Sequence, residues 1–251
     1  MRRLLIAFAL TVVAAAPAAA QQFTLEQVRG YPYPSELVAA PSGAAIAWVL
    51  NERGVRNIWM AAGPDWIPRQ LTNYTADDGQ ELTQLSVTAD GGHVVYVRCG
   101  DHGANWPAEG NLAPDPASSP TQPKVGLWVV TAGAAPRLLA EGDDPAVAPR
   151  GDRVAFIRAG QVYDVQIDSG RAKQLFFDRG TNGSLEWSPD GSRLAFVSSR
   201  GDHAFIGIFT SDSESIRYLA PSTSRDLTPR WSPAGTRIAF VRMPGQGGAP
   251  R

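Results

Sequence analysis

One stretch of the 251-residue sequence gathers side chains able to do chemistry: Gly100-Asp101-His102-Gly103-Ala104-Asn105-Trp106-Pro107-Ala108-Glu109-Gly110-Asn111. Asp101, Asn105 and Glu109 bring hydrogen-bond acceptors, and His102 brings a group that titrates near neutral pH. Trp106 offers a flat apolar surface on which a ligand can stack. Together they suit the binding of a ligand. The same composition also suits a surface excursion held extended by proline and packed by one tryptophan. A metal site is not expected, because one histidine among scattered carboxylates lacks the spacing of a ligand set.

Nucleophilic chemistry finds no foothold elsewhere. No Gly-x-Ser-x-Gly elbow occurs in the chain, and His93, His102 and His203 have no serine on a strand-to-helix turn to act upon. Cys99 is the only cysteine, which excludes an intramolecular disulfide and suits a small apolar residue at a strand end. No glycine-rich phosphate loop or Cys/His array is present, so no catalytic residue and no cofactor are expected in this chain.

The elements that must carry the loop are set by a repeat. A turn closing on glycine precedes a strand of alternating small and large apolar residues. It reads Ser188-Pro189-Asp190-Gly191 before Leu194-Ala195-Phe196-Val197, and Ser232-Pro233-Ala234-Gly235 before Ile238-Ala239-Phe240-Val241. Looser copies close on Gly43, Gly91 and Gly151, so successive turn glycines lie 48, 60, 40 and 44 residues apart. Proline sets φ early in such a turn, Asp or Ser bonds nearby amides, and glycine takes the left-handed position. A period near 40–45 residues is that of a four-stranded propeller blade.

Successive side chains of a strand point to opposite faces, and here both faces are apolar. Blades stacked face to face account for that pattern better than a half-exposed sheet does. Third strands are expected at Asn57–Met60, Leu127–Val130 and Gln161–Val165, and edge strands at Arg69–Thr72, Arg137–Leu139, Gln174–Phe177 and Arg217–Leu219. Trp48, Trp59, Trp128, Trp187 and Trp231 fall at repeat-equivalent strand positions and read as blade-packing residues. Arg153, Arg193 and Arg237, each two residues after a turn glycine, read as contacts to neighbouring loops.

The expected fold is therefore all-β, a β-propeller of four-stranded blades with about four and a half blades present. Residues 35–243 form this partial propeller, with an insertion at 100–124 between the second and third strands of blade two, after a segment at 21–34 and before a flexible tail at 244–251. Arg2 and Arg3, the apolar run Leu4–Val13 and the small residues Ala18-Ala19-Ala20 form a signal peptide over 1–20, making Gln21 the mature N-terminus and the location periplasmic or secreted. The formal net charge of -1 carries no polybasic surface for nucleic acid or membrane.

The units Ser188 to Val197 and Ser232 to Val241 resemble the WD40-like propeller repeats of TolB and of the N-terminal propellers of the prolyl oligopeptidase family. That family comprises serine peptidases that include dipeptidyl peptidase IV and acylaminoacyl peptidase relatives. The resemblance covers nearly all of the mature chain; the insertion and the signal peptide tilt it towards exported bacterial peptidases. It implies a non-catalytic propeller that gates or orients peptide substrates beside an α/β-hydrolase domain, which this sequence lacks. It also implies that a propeller carboxylate holds the substrate's free amine, for which Glu109 is the candidate. The alternative is a stand-alone TolB-like propeller that binds a protein partner.

Overall fold

A computed structural model describes residues 23–99 and 124–244. The signal-like N-terminus, the tail from residue 245, and the loop carrying Asp101, His102, Asn105, Trp106 and Glu109 lie outside the described residues. The described residues 23–31 belong to a small unit apart from the rest. Its helix α1 (Leu25–Arg29) starts on a capping box, in which Thr24 Oγ1 accepts from Gln27 N and Gln27 Oε1 accepts from Thr24 N. Among the described residues no helix is long and apolar enough to cross a membrane.

From Pro32 onward the chain is built from antiparallel sheets. The first comprises β1 (Tyr33–Ala39), β2 (Ala45–Glu52), β3 (Val55–Ala62) and β4 (Arg69–Gln70). The second comprises β5 (Leu82–Val87), β6 (His93–Arg98), β7 (Gly126–Thr131) and β8 (Arg137–Glu141). The third comprises β9 (Asp143–Val147), β10 (Arg153–Arg158), β11 (Gln161–Gln166) and β12 (Ala172–Gln174). The fourth comprises β13 (Thr181–Trp187), β14 (Leu194–Ser199), β15 (Ala204–Phe209) and β16 (Arg217–Leu219). A fifth, β17 (Arg225–Trp231) with β18 (Ile238–Met243), joins the fourth through the parallel bridge Ala204–Arg225.

Each first strand touches the first strand of the next sheet, β1 to β5, β5 to β9, β9 to β13 and β13 to β17. The sheets thus fan out from a common axis, as blades of a propeller do. No pairing among the described residues joins the last sheet to the first.

The turn chemistry holds in every copy. The amides of Gly43, Gly91, Gly151, Gly191 and Gly235 each donate to the carbonyl three residues back at 2.8 Å, with φ between 66° and 73°. In the fourth blade Ser188 Oγ receives Arg193 N at 2.9 Å and donates to Asp190 at 2.6 Å. That hydrogen bond, with those from Ser192, lowers the Asp190 carboxyl to about 2.

Packing between blades follows one rule. The third and fifth residues after each turn glycine face the preceding blade: Val94 and Tyr96, Val154 and Phe156, Leu194 and Phe196. The fourth and sixth face the following one: Ala47 and Val49, Val95 and Val97, Ala155 and Ile157. Large residues of one blade therefore sit on Ala, Val and Ile of its predecessor. Phe196 comes so close to β15 that a Cβ on Gly207 would collide with its ring.

Two expectations change. The edge strand of the third blade is β12, Ala172–Gln174, rather than Gln174–Phe177. Leu175 still donates to Val162 O, but Phe176 then packs on Phe196 and Phe209, with ring centroids 4.8 and 4.9 Å apart, so burial draws the segment out of the ladder. The first strands each carry a register shift, in β13 between Gly183 and Glu186. The five tryptophans are equivalent only in groups. Trp187 and Trp231 end first strands and donate their indole N–H to Ala146 O and Glu186 O of the preceding blade, at 3.0 and 3.1 Å. Trp48 lies on a second strand, and Trp59 and Trp128 on third strands.

Arg153 and Arg193 behave as read, whereas Arg237 is exposed and its guanidinium makes no hydrogen bond among the described residues. Arg153 stacks on Trp187 and donates to Gly191 O at 3.3 Å, and Arg193 stacks on Trp231 and donates to Gly235 O at 2.6 Å. Cys99, which follows β6, is 6% exposed.

Candidate functional site

The axial strands share a feature that no turn or core requirement explains. Each holds one non-glycine residue in the left-handed region: Glu36 (φ 55°), Gln84 (54°), Asp144 (50°), Ser184 (52°) and Thr228 (49°). Each lies seven residues before its turn glycine, where the strand slips in register against its neighbour. These are β-bulges, which bend a strand and re-aim a side chain. A left-handed non-glycine residue costs energy that surrounding contacts must hold in place.

The contacts run from blade to blade along the axial wall. Gln84 Oε1 accepts from Asp144 N at 2.8 Å, and Asp144 Oδ2 accepts from Ser184 N at 2.7 Å. Glu36, Gln84, Ser184 and Thr228 are exposed, and Asp144 is partly so. Burial raises the Asp144 carboxyl, against the lowering effect of the Ser184 and Leu185 amides. Burial also raises Asp143, and the neighbouring charge of Asp144 adds to it. Two carboxylates disfavoured in this way gain from any cation that reaches them. Further along the wall, Glu186 accepts from Trp231 N at 2.9 Å and pairs with Arg230 at 2.6 Å.

The 100–123 segment leaves the second blade between β6 and β7, on the end of the blades that also carries the joins from each fourth strand to the next first strand. At its root, Arg98 pairs with Asp78 and stacks on Tyr74, whose hydroxyl meets that of Tyr96 at 2.8 Å. Burial raises both phenols. The fourth blade repeats the arrangement. Asp178, 5% exposed, accepts from Ser198 at 2.5 Å, from Arg200 at 3.1 Å and from Tyr218. Burial and the Asp178 hydrogen bond raise the Tyr218 phenol to about 12. Asp226 and Arg242 form the same pair in the fifth blade at 2.7 Å. In these three blades the pair ties the beginning of the first strand, or the segment just before it, to the end of the second strand.

Asp101, His102, Asn105, Trp106 and Glu109 lie outside the described residues, so only the root of their loop is placed. The axial residues went unread in the sequence. Their signal was the recurrence of a polar residue seven positions before each turn glycine, in strands otherwise chosen for packing. Among the described residues no group of His, Cys, Asp and Glu is arranged to hold a metal ion. The site offers acceptors and carboxylates on a wall, suited to ammonium and amide N–H groups.

No protein-family model and no curated protein sequence matches the chain. Solved structures do. A TolB-assigned protein of Agrobacterium tumefaciens aligns with a TM-score of 0.54 at 21% identity, over 86% of this chain and 72% of the other. A prolyl endopeptidase aligns at 0.60 and 10% identity, over 85% of this chain and 33% of the other. An oligogalacturonate lyase of Vibrio parahaemolyticus aligns at 0.58 and 13% identity, over 84% and 59%. The chain thus has the propeller fold of TolB-type proteins and of the propellers of prolyl oligopeptidases, and it spans only part of each of these proteins.

Proposed function

We propose that this chain is the propeller portion of an exported serine peptidase of the prolyl oligopeptidase type, which admits and orients peptides while a separate hydrolase domain cleaves them. The observation that carries this reading is the axial wall. Five consecutive blades each place a polar side chain at the same strained position, and Asp143 and Asp144 make the third blade's part of that wall acidic. An extended peptide presents amide N–H groups and a terminal ammonium, which such a wall suits.

The test uses fluorescence anisotropy with a hexapeptide bearing a free amine and a C-terminal dye, beside its N-acetylated twin. The free amine binds more tightly to the purified chain, and Asp144→Asn weakens it by roughly ten- to a hundredfold, the worth of one charge-assisted hydrogen bond. Equal binding of the two peptides, or an unchanged affinity in a folded Asp144→Asn protein, would sink the reading. Export is checked by mass spectrometry of protein from the periplasm, where the chain begins at Gln21.

A TolB-like scaffold that binds a folded protein is the second reading, favoured by the larger share of the TolB-assigned protein that the chain spans. It predicts that short peptides of either kind are ignored.

A further inference from the structure

The second strands end on an arginine, and the fourth blade places its arginine differently from the rest. Counted from the turn glycine, Arg98, Arg158 and Arg242 all stand at the seventh position. Arg98 and Arg242 pair there with Asp78 and Asp226, and Arg158 donates to Glu141 O at 2.8 Å. The fourth blade has Ser198 at that position and carries Arg200 two residues further on. Arg200 still reaches Asp178 and Tyr218 through Nη2, at 3.1 and 3.0 Å, and Ser198 through Nε, at 3.0 Å. Its Nη1 has no partner among the described residues. The pairs in the other blades show that a tie to the aspartate needs no such shift.

The displaced arginine lines a cleft of about 600 Å³, whose other walls include Arg179, Thr181, Ser199 and His203. Gly180 lets the 179–181 segment lie against the end of β14, since a Cβ there would collide with the Ser199 carbonyl. The Arg179 guanidinium and the hydroxyls of Thr181 and Ser199 have no partner among the described residues. Asp178 and Asp202, which hold Arg200 and His203 at 3.1 and 2.6 Å, do not line the cleft. Its walls therefore present donors and no carboxylate. Asp178 balances Arg200, and Asp202 balances a protonated His203, so Arg179 carries the one uncompensated charge.

We infer that this cleft binds a carboxylate group. Guanidinium forks match a planar carboxylate through parallel N–H···O bonds, and one uncompensated positive charge suits a single negative one better than a phosphate dianion. Arg200 meets the ligand already fixed, because its bonds to Asp178, Tyr218 and Ser198 set its plane beforehand, so little freedom is lost there on binding. Arg179 closes on the group from the exposed side, and Thr181 and Ser199 donate to the remaining lone pairs. Two sources carry such a group, the free C-terminus of a peptide and a small organic acid. The inference stands on the cleft and does not rest on the binding of an ammonium group at Asp144.

The test is isothermal titration calorimetry of the purified full chain with N-acetyl-trialanine, its C-terminal amide, sodium acetate and inorganic phosphate. The blocked amine keeps the acidic axial wall out of the measurement. The peptide acid binds roughly ten- to a hundredfold more tightly than the amide, the worth of one charge-assisted hydrogen bond. Arg179→Gln abolishes that preference, and because the side chain is exposed and without a partner the fold stays in place. Thr181→Val removes a second donor and reduces the preference several-fold. Acetate that binds more weakly than the peptide acid assigns the site to peptide C-termini, and acetate of equal affinity assigns it to small organic acids. Equal binding of acid and amide, a preference that survives in folded Arg179→Gln, or phosphate bound more tightly than acetate would each overturn the inference.

Discussion

β14 and β18 carry almost the same words, Leu194-Ala195-Phe196-Val197 and Ile238-Ala239-Phe240-Val241. In β14 all four residues are buried, while in β18 Ile238 and Phe240 are partly buried and Ala239 and Val241 exposed. Intrinsic preference cannot separate two such segments. The difference comes from neighbours: β14 lies between two blades, and β18 has a described blade on one face only. Apolarity on both faces of a strand is thus a statement about what lies on either side of it, and the terminal sheets show the statement half fulfilled.

The sharpest way to break this comparison is to empty the same position in both strands. Phe196→Ala removes a ring packed on Phe176 and closely approached by Gly207, and should cost about 3–5 kcal/mol of unfolding free energy in denaturant. Phe240→Ala removes a half-buried ring and should cost about 1–2 kcal/mol. Equal losses would mean that β18 is covered after all.

Asp164 probes the interior from the other side. It is 2% exposed and faces Ala155 in register, where the other blades place Met60, Val129 and Ile208. One carboxyl oxygen has no hydrogen-bond partner, and burial raises its pKa. A raised carboxyl destabilises the fold above its folded pKa and ceases to do so below its unfolded one. Asp164→Val should therefore stabilise the protein by about 1–3 kcal/mol at neutral pH. The gain should shrink as the pH falls towards about 4.

Smaller effects sharpen the contrast at the turns. Arg193→Ala loses the stack on Trp231 and a backbone hydrogen bond, and should cost about 0.5–1 kcal/mol. Arg237→Ala, with neither contact, should leave the unfolding midpoint unchanged in dilute protein. Asp190→Asn should lower stability at neutral pH, and the deficit should vanish as the pH falls from about 4 to about 2, since the depressed carboxyl is protonated over that window. The last turn has Ala234 at that position and lacks the dependence.

Blade number, turn positions and the identity of second strands were legible in the sequence because glycine, proline and a repeated apolar word each has one physical reading. The roles of Arg153 and Arg193 were legible because their recurrence tied them to the turns. The end of the third blade was not, because Phe176 serves a cluster that only the fold brings together. The axial bulges were missed for a related reason. Glu36, Gln84, Asp144, Ser184 and Thr228 share no side-chain type, so only position betrays them, and that position matters once the first strands meet around an axis. The tryptophans were grouped by type, when their places in the strands divide them.

Cys99 gives the second blade a built-in clock. It is the chain's single thiol, sealed at the end of β6 beside the root of the long insertion. A thiol reagent can reach it only when that part of the blade opens. The labelling rate of the unaltered protein therefore reports one local opening event, with no second cysteine to blur the signal. A ligand that engages the insertion and steadies its root would slow the clock without touching the sulfur.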